Sequence, residues 1–195
     1  MQVSPIDDNK DLFRVGNILS QELLLKLSQE VIEAIPYTTQ EGQEEKPRRK
    51  LQKFPGSTLS QIHNHINTHK DVIGKEIEQD IDHIDTAFWY DREGFDFPTH
   101  IDNPQVKIVM QIYLSDCEGA GTVFYNVADS DIGIKDGKSL NWHYIGPIPP
   151  TNVRREFEFK TNTGYLMFNH MKQVHGVPKK LGNDDMRLSV YCWIY

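Results

Sequence analysis

Cysteine is scarce in this chain: two residues in 195, far apart at Cys117 and Cys192. Two distant thiols make no disulfide framework, so a small bridge-stapled scaffold is excluded and reduced side chains are expected. No apolar run is long enough to cross a bilayer, and no charged-then-apolar leader opens the sequence, which makes a cytoplasmic protein with no membrane partner the expectation. Positive charge is short as well. The 21 Lys and Arg stand against 28 Asp and Glu, and a formal net charge of −7 argues against nucleic acid as a partner. A local exception, Lys46-Pro47-Arg48-Arg49-Lys50, follows an acidic run and reads as a solvated loop. The length suits a single domain over 1–195 with a sizeable core. Oligomeric state is not legible in these residues.

Two characters divide the chain. Residues 1–83 read as a helical support: a polar tail over Met1–Lys10, then a helix with Ser20 as N-cap and Glu22 in its first turn. Leu23, Leu24, Leu27, Val31 and Ile35 recur at helical spacing until Pro36. Thr38–Lys50 reads as a loop. A second helix is expected from Ser57, with Leu59, Ile62, Ile66, Ile73 and Ile77 on one face. From Ile84 onward, short β-branched and aromatic runs alternate with Gly, Pro, Asn and Asp. Strands are expected at Ile84–Tyr90, Phe97–Ile101, Val106–Leu114, Gly121–Tyr125, Phe157–Lys160, Tyr165–Asn169, Gln173–Val177 and Leu188–Ile194. That number suits a jelly roll, so the expected architecture is a mostly β, cupin-like double-stranded β-helix with helices on one sheet. Asn126–Pro150 is a long Gly- and Pro-rich connection, and with Thr38–Lys50 it is a candidate lid.

His100-Ile101-Asp102 carries the chemistry. On an extended segment, positions i and i+2 share a face, so an imidazole and a carboxylate can bind one ion together. A third ligand must come from elsewhere, and His170 and His175 both offer one. Two His and one carboxylate with open positions form the facial triad of non-heme Fe(II) oxygenases. An HxD pair alone is a common chance pattern, and satisfied histidines are its ordinary explanation. The ordered set of HxD, His-Gly-Val-Pro and Arg187-Leu-Ser189 favours a metal site. Arg187 and Ser189 alternate onto one face of a strand, where a guanidinium could pair with a desolvated carboxylate through parallel donors. His63, His65 and His69 read as a polar helix face, because no Glu or Cys completes a zinc pattern.

With these residues in hand, the chain resembles the Fe(II)- and 2-oxoglutarate-dependent dioxygenases, most closely their prolyl-4-hydroxylase-like branch, over roughly Ile84 to Tyr195. The resemblance rests on Tyr90, His100-x-Asp102-Asn103-Pro104, Gln111-Ile112-Tyr113-Leu114, Ala120-Gly121-Thr122, Gly164–Phe168, His175-Gly-Val-Pro178 and Arg187-Leu-Ser189-x3-Trp193. It implies His100, Asp102 and His175 as iron ligands, which selects His175 over His170. It also implies Arg187, Ser189 and Tyr113 around the distal carboxylate of 2-oxoglutarate, with Tyr90 and Trp193 lining the same pocket. Fe(II), 2-oxoglutarate and O2 would be the cofactor and co-substrates, with ascorbate an optional reductant. The implied activity is hydroxylation of a C–H bond in a peptide residue (prolyl-type) or a small metabolite, with release of succinate and CO2. Ala120-Gly121 stands where many relatives have Gly-Gly, and no substrate-gripping element has a match. A cupin-like metal-binding module without turnover is the second reading.

Overall fold

The computed structural model describes residues 1–39, 48–134, 142–147 and 150–195. Its strands are β1 (Gln2–Pro5), β2 (Leu12–Gly16), β3 (Tyr37–Thr39), β4 (Arg48–Leu51), β5 (Ile84–Asp91), β6 (Phe97–His100) and β7 (Ile108–Tyr113), then β8 (Cys117–Tyr125), β9 (Ile132–Ile134), β10 (Trp142–Tyr144), β11 (Val153–Phe159), β12 (Thr163–Phe168), β13 (His175–Val177) and β14 (Arg187–Ile194). The helices are α1 (Gln21–Ser28), α2 (Thr58–Thr68) and α3 (Lys70–Ile77).

An eight-stranded antiparallel sheet, ordered β1-β2-β12-β7-β14-β5-β4-β3, packs against a four-stranded sheet, ordered β11-β8-β13-β6. This is the expected jelly roll. Between the sheets lie Tyr113, Tyr165, Phe124, Phe157 and Phe159, with Phe124 and Tyr165 meeting edge to face at 5.0 Å between ring centres. Gly121 permits close approach at one edge: a Cβ there would stand 1.9 Å from the Phe157 carbonyl oxygen. On the other face of the large sheet, Phe88, Ile112 and Val190 meet Leu59, Ile62 and Ile66 of α2 and Leu23 and Leu27 of α1. Strand β7 is buried on both sides, in keeping with its partial alternation.

The N-terminal region departs from the helical expectation. The segment read as a tail holds β1, and β2 pairs with both β1 and β12, extending the large sheet. The signal was there in Leu12-Phe13-Arg14-Val15, a short run whose burial makes it a strand. Ser20 caps α1 as expected, its Oγ accepting from Leu23 N at 3.3 Å, but the helix stops at Ser28. Val31, next on the stripe, is 66 % exposed, because the chain turns through a short 3-10 segment and buries Ile32 instead. The second helix is two, with the break at His69. The loop expected over Thr38–Lys50 contains β3 and β4, a hairpin on the edge of the large sheet; its residues 40–47 lie outside the described residues. All eight strands expected after Ile84 are present with shifted ends, and the Asn126–Pro150 connection adds the β9–β10 hairpin. Residues 135–141 and 148–149 of that connection also lie outside the described residues.

Asn162 joins the two halves. It holds a left-handed backbone at φ 61°, which its short polar side chain tolerates. Its Oδ1 accepts from Leu19 N at 2.9 Å, and its Nδ2 donates to Leu19 O at 3.0 Å. Its backbone N donates to Tyr113 O at 2.8 Å, so the start of α1 is fastened to the end of β7. Asn162→Ala should therefore cost about 2–4 kcal/mol, the sum of two buried hydrogen bonds and the left-handed strain. Urea unfolding of the full chain measures this, and a loss below about 0.5 kcal/mol would contradict the fastening role.

Candidate metal centre and its cavity

His100 ends β6 and His175 begins β13, and the antiparallel ladder sets these two residues directly opposite each other. Their rings lie 4.4 Å apart between centres. Asp102 follows two residues beyond the strand end, with Oδ1 3.3 Å from His100 Nε2 and Oδ2 3.8 Å from His175 Nε2. All three offer a ligand atom within 4.8 Å of the others. His100 lies on the paired strand, while Asp102 lies past the paired segment and still converges.

Each imidazole is oriented by its backbone. His100 Nδ1 donates to Pro98 O at 2.9 Å, and His175 Nδ1 donates to Gln173 O at 2.8 Å. A carbonyl only accepts, so both protons sit on Nδ1 and both Nε2 lone pairs face the gap. His100 Nε2 is buried without a hydrogen-bond partner among the described residues. Burial and the neighbouring His100 push His175 down to about 4, which keeps it neutral and able to ligate. Burial opposes ionisation of Asp102, but the positive charge that His175 and His100 carry when protonated, together with the Tyr191 hydroxyl, outweighs it and holds the carboxyl well below its usual range. Three donor groups around one gap, with one Nε2 left without a partner, form a set that fits a divalent cation such as Fe(II).

Beside the triad is a cavity of about 200 Å³. Asp102 and His175 line it together with Arg48, Arg187, Gln111, Thr122 and Trp193. Arg187 is buried and reaches Asp91 Oδ2 at 3.4 Å from Nη1, with its guanidinium 4.6 Å above the Phe159 ring. Trp193 lines the cavity, as the resemblance implies. Ser189 and Tyr113 stand one step behind the wall: Ser189 Oγ accepts from Gln111 Nε2 at 3.1 Å, and the Tyr113 hydroxyl donates to Thr122 Oγ1 at 3.0 Å. Burial pushes the Tyr113 hydroxyl up to about 12, so it remains a donor.

Tyr90 is not brought to the cavity. Its hydroxyl donates to Glu33 Oε1 at 2.7 Å on the helix-covered face. Neighbours alternate along a strand, so Trp89 lines the cavity and the Asp91 carboxylate joins the two arginines that do. Arg48 corrects the reading of Lys46–Lys50 as a solvated loop: it is 8 % exposed, on a strand, and lines the cavity. Tyr191 was also missed, although it shares the strand phase of Arg187 and Ser189. Its hydroxyl donates to Asp102 Oδ2 at 2.5 Å.

His170, the rival third ligand, is held elsewhere, with Nε2 2.8 Å from Asp11 Oδ2. Asp11 in turn pairs with Arg154, which also reaches Asp7 at 2.7 Å and Gln173 Oε1 at 3.4 Å. Since Gln173 O accepts the hydrogen bond from His175 Nδ1, this network steadies His175 from behind. His63 and His65 bond to Thr86 Oγ1 at 3.0 Å and Ile18 O at 2.9 Å, which ties α2 to its surroundings as a polar helix face. Both cysteines are free and buried.

No protein-family profile matches the chain, and no curated protein matches it by sequence. Solved structures do match by fold. A prolyl-4-hydroxylase from Pseudomonas putida superposes with TM-score 0.61 at 14% identity, covering 94% of this chain and 91% of its own. A 2OG-Fe(II) oxygenase family oxidoreductase from Burkholderia pseudomallei gives 0.58 at 12% identity, over 91% of this chain and 79% of its own. The epimerase SnoN, in complex with Fe3+, alpha ketoglutarate and nogalamycin RO, gives 0.57 at 13% identity, over 94% and 78%. The fold is therefore one shared with 2-oxoglutarate oxygenases of differing chemistry.

Tyr191→Phe removes the hydrogen bond to Asp102 without changing shape. Metal affinity should fall about 10-fold, the usual cost of losing a partner of a metal ligand. Titration calorimetry with Mn(II) measures it; an unchanged Kd would exclude Tyr191 from orienting Asp102. Tyr90→Phe should lower stability by about 1 kcal/mol and leave 2-oxoglutarate affinity unaltered. A large loss of that affinity would return Tyr90 to the pocket.

Proposed function

We propose that the chain is an Fe(II)- and 2-oxoglutarate-dependent oxygenase that hydroxylates a C–H bond of a peptide residue, prolyl-type, or of a small metabolite. The observation that carries this reading is the convergence of His100, Asp102 and His175 on one gap, with His100 Nε2 orphaned, beside a cavity that Arg187 lines. When bound, the iron and 2-oxoglutarate would supply the oxidative chemistry: substrate, O2 and 2-oxoglutarate give hydroxylated substrate, succinate and CO2.

The chain's own residues supply position and seclusion. His100, Asp102 and His175 would hold one face of the ion, leaving the opposite face open. Arg187 would take the distal carboxylate through charge-assisted donors, on a floor of Phe159 that excludes water. Gln111 and Thr122 face the same space, and Ser189 and Tyr113 fix their orientation from behind. Tyr191 would keep Asp102 turned toward the ion. The same reading treats 1–195 as one domain, supported by the packing of α1 and α2 on the large sheet. It also treats the protein as cytoplasmic, in keeping with two free thiols; no helix among the described residues is long and apolar enough to cross a membrane. Peptide substrates are favoured because prolyl hydroxylases are among the structures of like fold.

Incubation with Fe(II), 2-oxoglutarate, O2 and ascorbate as two-electron reductant should yield succinate and CO2, even without a primary substrate, and Asp102→Ala should reduce it to background while the fold persists. Substantial succinate from that variant would remove Asp102 from the centre. Arg187→Ala should raise the KM for 2-oxoglutarate roughly 30-fold or more, the equivalent of a charged hydrogen bond lost. An unchanged KM would place the carboxylate elsewhere.

A further inference from the structure

Arg48, Asp91 and Arg187 lie side by side on β4, β5 and β14, both arginines registered opposite Asp91. All three are nearly or fully inaccessible, at 8, 0 and 2 % exposure. The carboxylate is divided between them: Arg48 Nε is 3.3 Å from Oδ1, and Arg187 Nη1 is 3.4 Å from Oδ2. Aromatic rings hold Arg48 in place, with its guanidinium 4.3 Å from the centre of Trp89 and 5.0 Å from that of Phe97. Among the described residues, Nε of each arginine lacks a well-directed hydrogen bond, and both arginines line the cavity.

The charge count gives this arrangement its meaning. Neither guanidinium gives up its proton, so with Asp91 ionised the trio carries one positive charge in excess. Burial pushes the Asp91 carboxyl up, and both guanidiniums act against that by favouring its anion. Asp91 alone against Arg187 would make a neutral pair, leaving no net charge for a ligand. Arg48 engages the other oxygen and restores the surplus. An excess charge removed from water is costly until an anion meets it.

Resting on the oxygenase reading, we propose that Arg48 is a positioning residue of the co-substrate site: by occupying Asp91 it frees Arg187 to take the distal carboxylate of 2-oxoglutarate. The pocket then selects for charge at both ends of its ligand. One carboxylate answers the surplus left by a divalent ion and Asp102, and the other answers the surplus of the trio. A 2-oxo acid with a methyl group in place of the distal carboxylate leaves the second surplus buried and unmet.

Calorimetric titration of the full chain loaded with Mn(II), which binds without turnover, tests this with 2-oxoglutarate and 2-oxovalerate as probes. The two share a chelating end and a five-carbon chain, and differ in the distal group. Arg48→Met keeps the apolar stem and leaves Arg187 paired with Asp91, so the variant should fold. Its affinity for 2-oxoglutarate should fall about tenfold or more, with that for 2-oxovalerate within about twofold of the unmodified chain. The double variant Arg48→Met, Asp91→Asn should recover most of the lost 2-oxoglutarate affinity, because Arg187 is released from its partner. Unchanged 2-oxoglutarate binding in Arg48→Met, equal loss for both acids, or a double variant no better than the single would each overturn the proposal. If the unmodified chain itself fails to prefer 2-oxoglutarate to 2-oxovalerate, the placement of the co-substrate against Arg187 fails too, which separates that failure from a failure of Arg48 alone.

Discussion

Two imidazole nitrogens and a carboxylate held within 4.8 Å of one another repel unless something positive stands between them. The rest of the fold is arranged to hold them there. Two backbone carbonyls fix the imidazole protons on the far nitrogens, and the Tyr191 hydroxyl supports Asp102. A divalent ion held there would relieve that repulsion and would stabilise this end of the sandwich.

The ladder between β6 and β13 is the mechanical basis of that arrangement. It sets His100 opposite His175, and a slip of one residue would send an imidazole to the other face. Behind His175, the Asp11–Arg154–Gln173 network ties the β1–β2 connection and β11 to the ligand, so strands added at the N-terminal edge contribute to the site. In the wall of the cavity, a second electrostatic problem is solved across β4, β5 and β14. Asp102 and His175 of the triad and the two arginines thus line one cavity, each group built from register.

Much of this could be read from the residues. The eight strands after Ile84 showed in β-branched and aromatic runs between turn residues, and alternation along β14 put Arg187 and Ser189 on one face, while Trp193 was implied by the resemblance. What escaped reading was decided by long-range pairing. Arg48 has the sequence surroundings of a solvated basic loop, and only its registration against Asp91 makes it a buried cation. Strands β1, β3 and β4 are short and carry polar residues, so their apolar signal is weak until a neighbouring strand covers them. Tyr90 illustrates phase ambiguity: Phe88, Trp89 and Tyr90 are consecutive aromatics on a strand buried on both faces, and local sequence cannot say which face belongs to the cavity. Asp102 was found for a reason only partly right, since it lies beyond the strand whose alternation was invoked.

The fold is shared by proteins described as a prolyl-4-hydroxylase and as an epimerase, so the architecture leaves the outcome of the reaction open and the side chains around the gap must define it. The most direct test of the centre is anaerobic titration of the Fe(II)-loaded chain with 2-oxoglutarate, followed by the visible charge-transfer absorption of an Fe(II)–2-oxo acid chelate. Convergence of His100, Asp102 and His175 on a single ion with an open face predicts an absorption that saturates at about one equivalent per chain and is lost in His175→Ala. No absorption from the loaded chain, or the same absorption after His175→Ala, would contradict it.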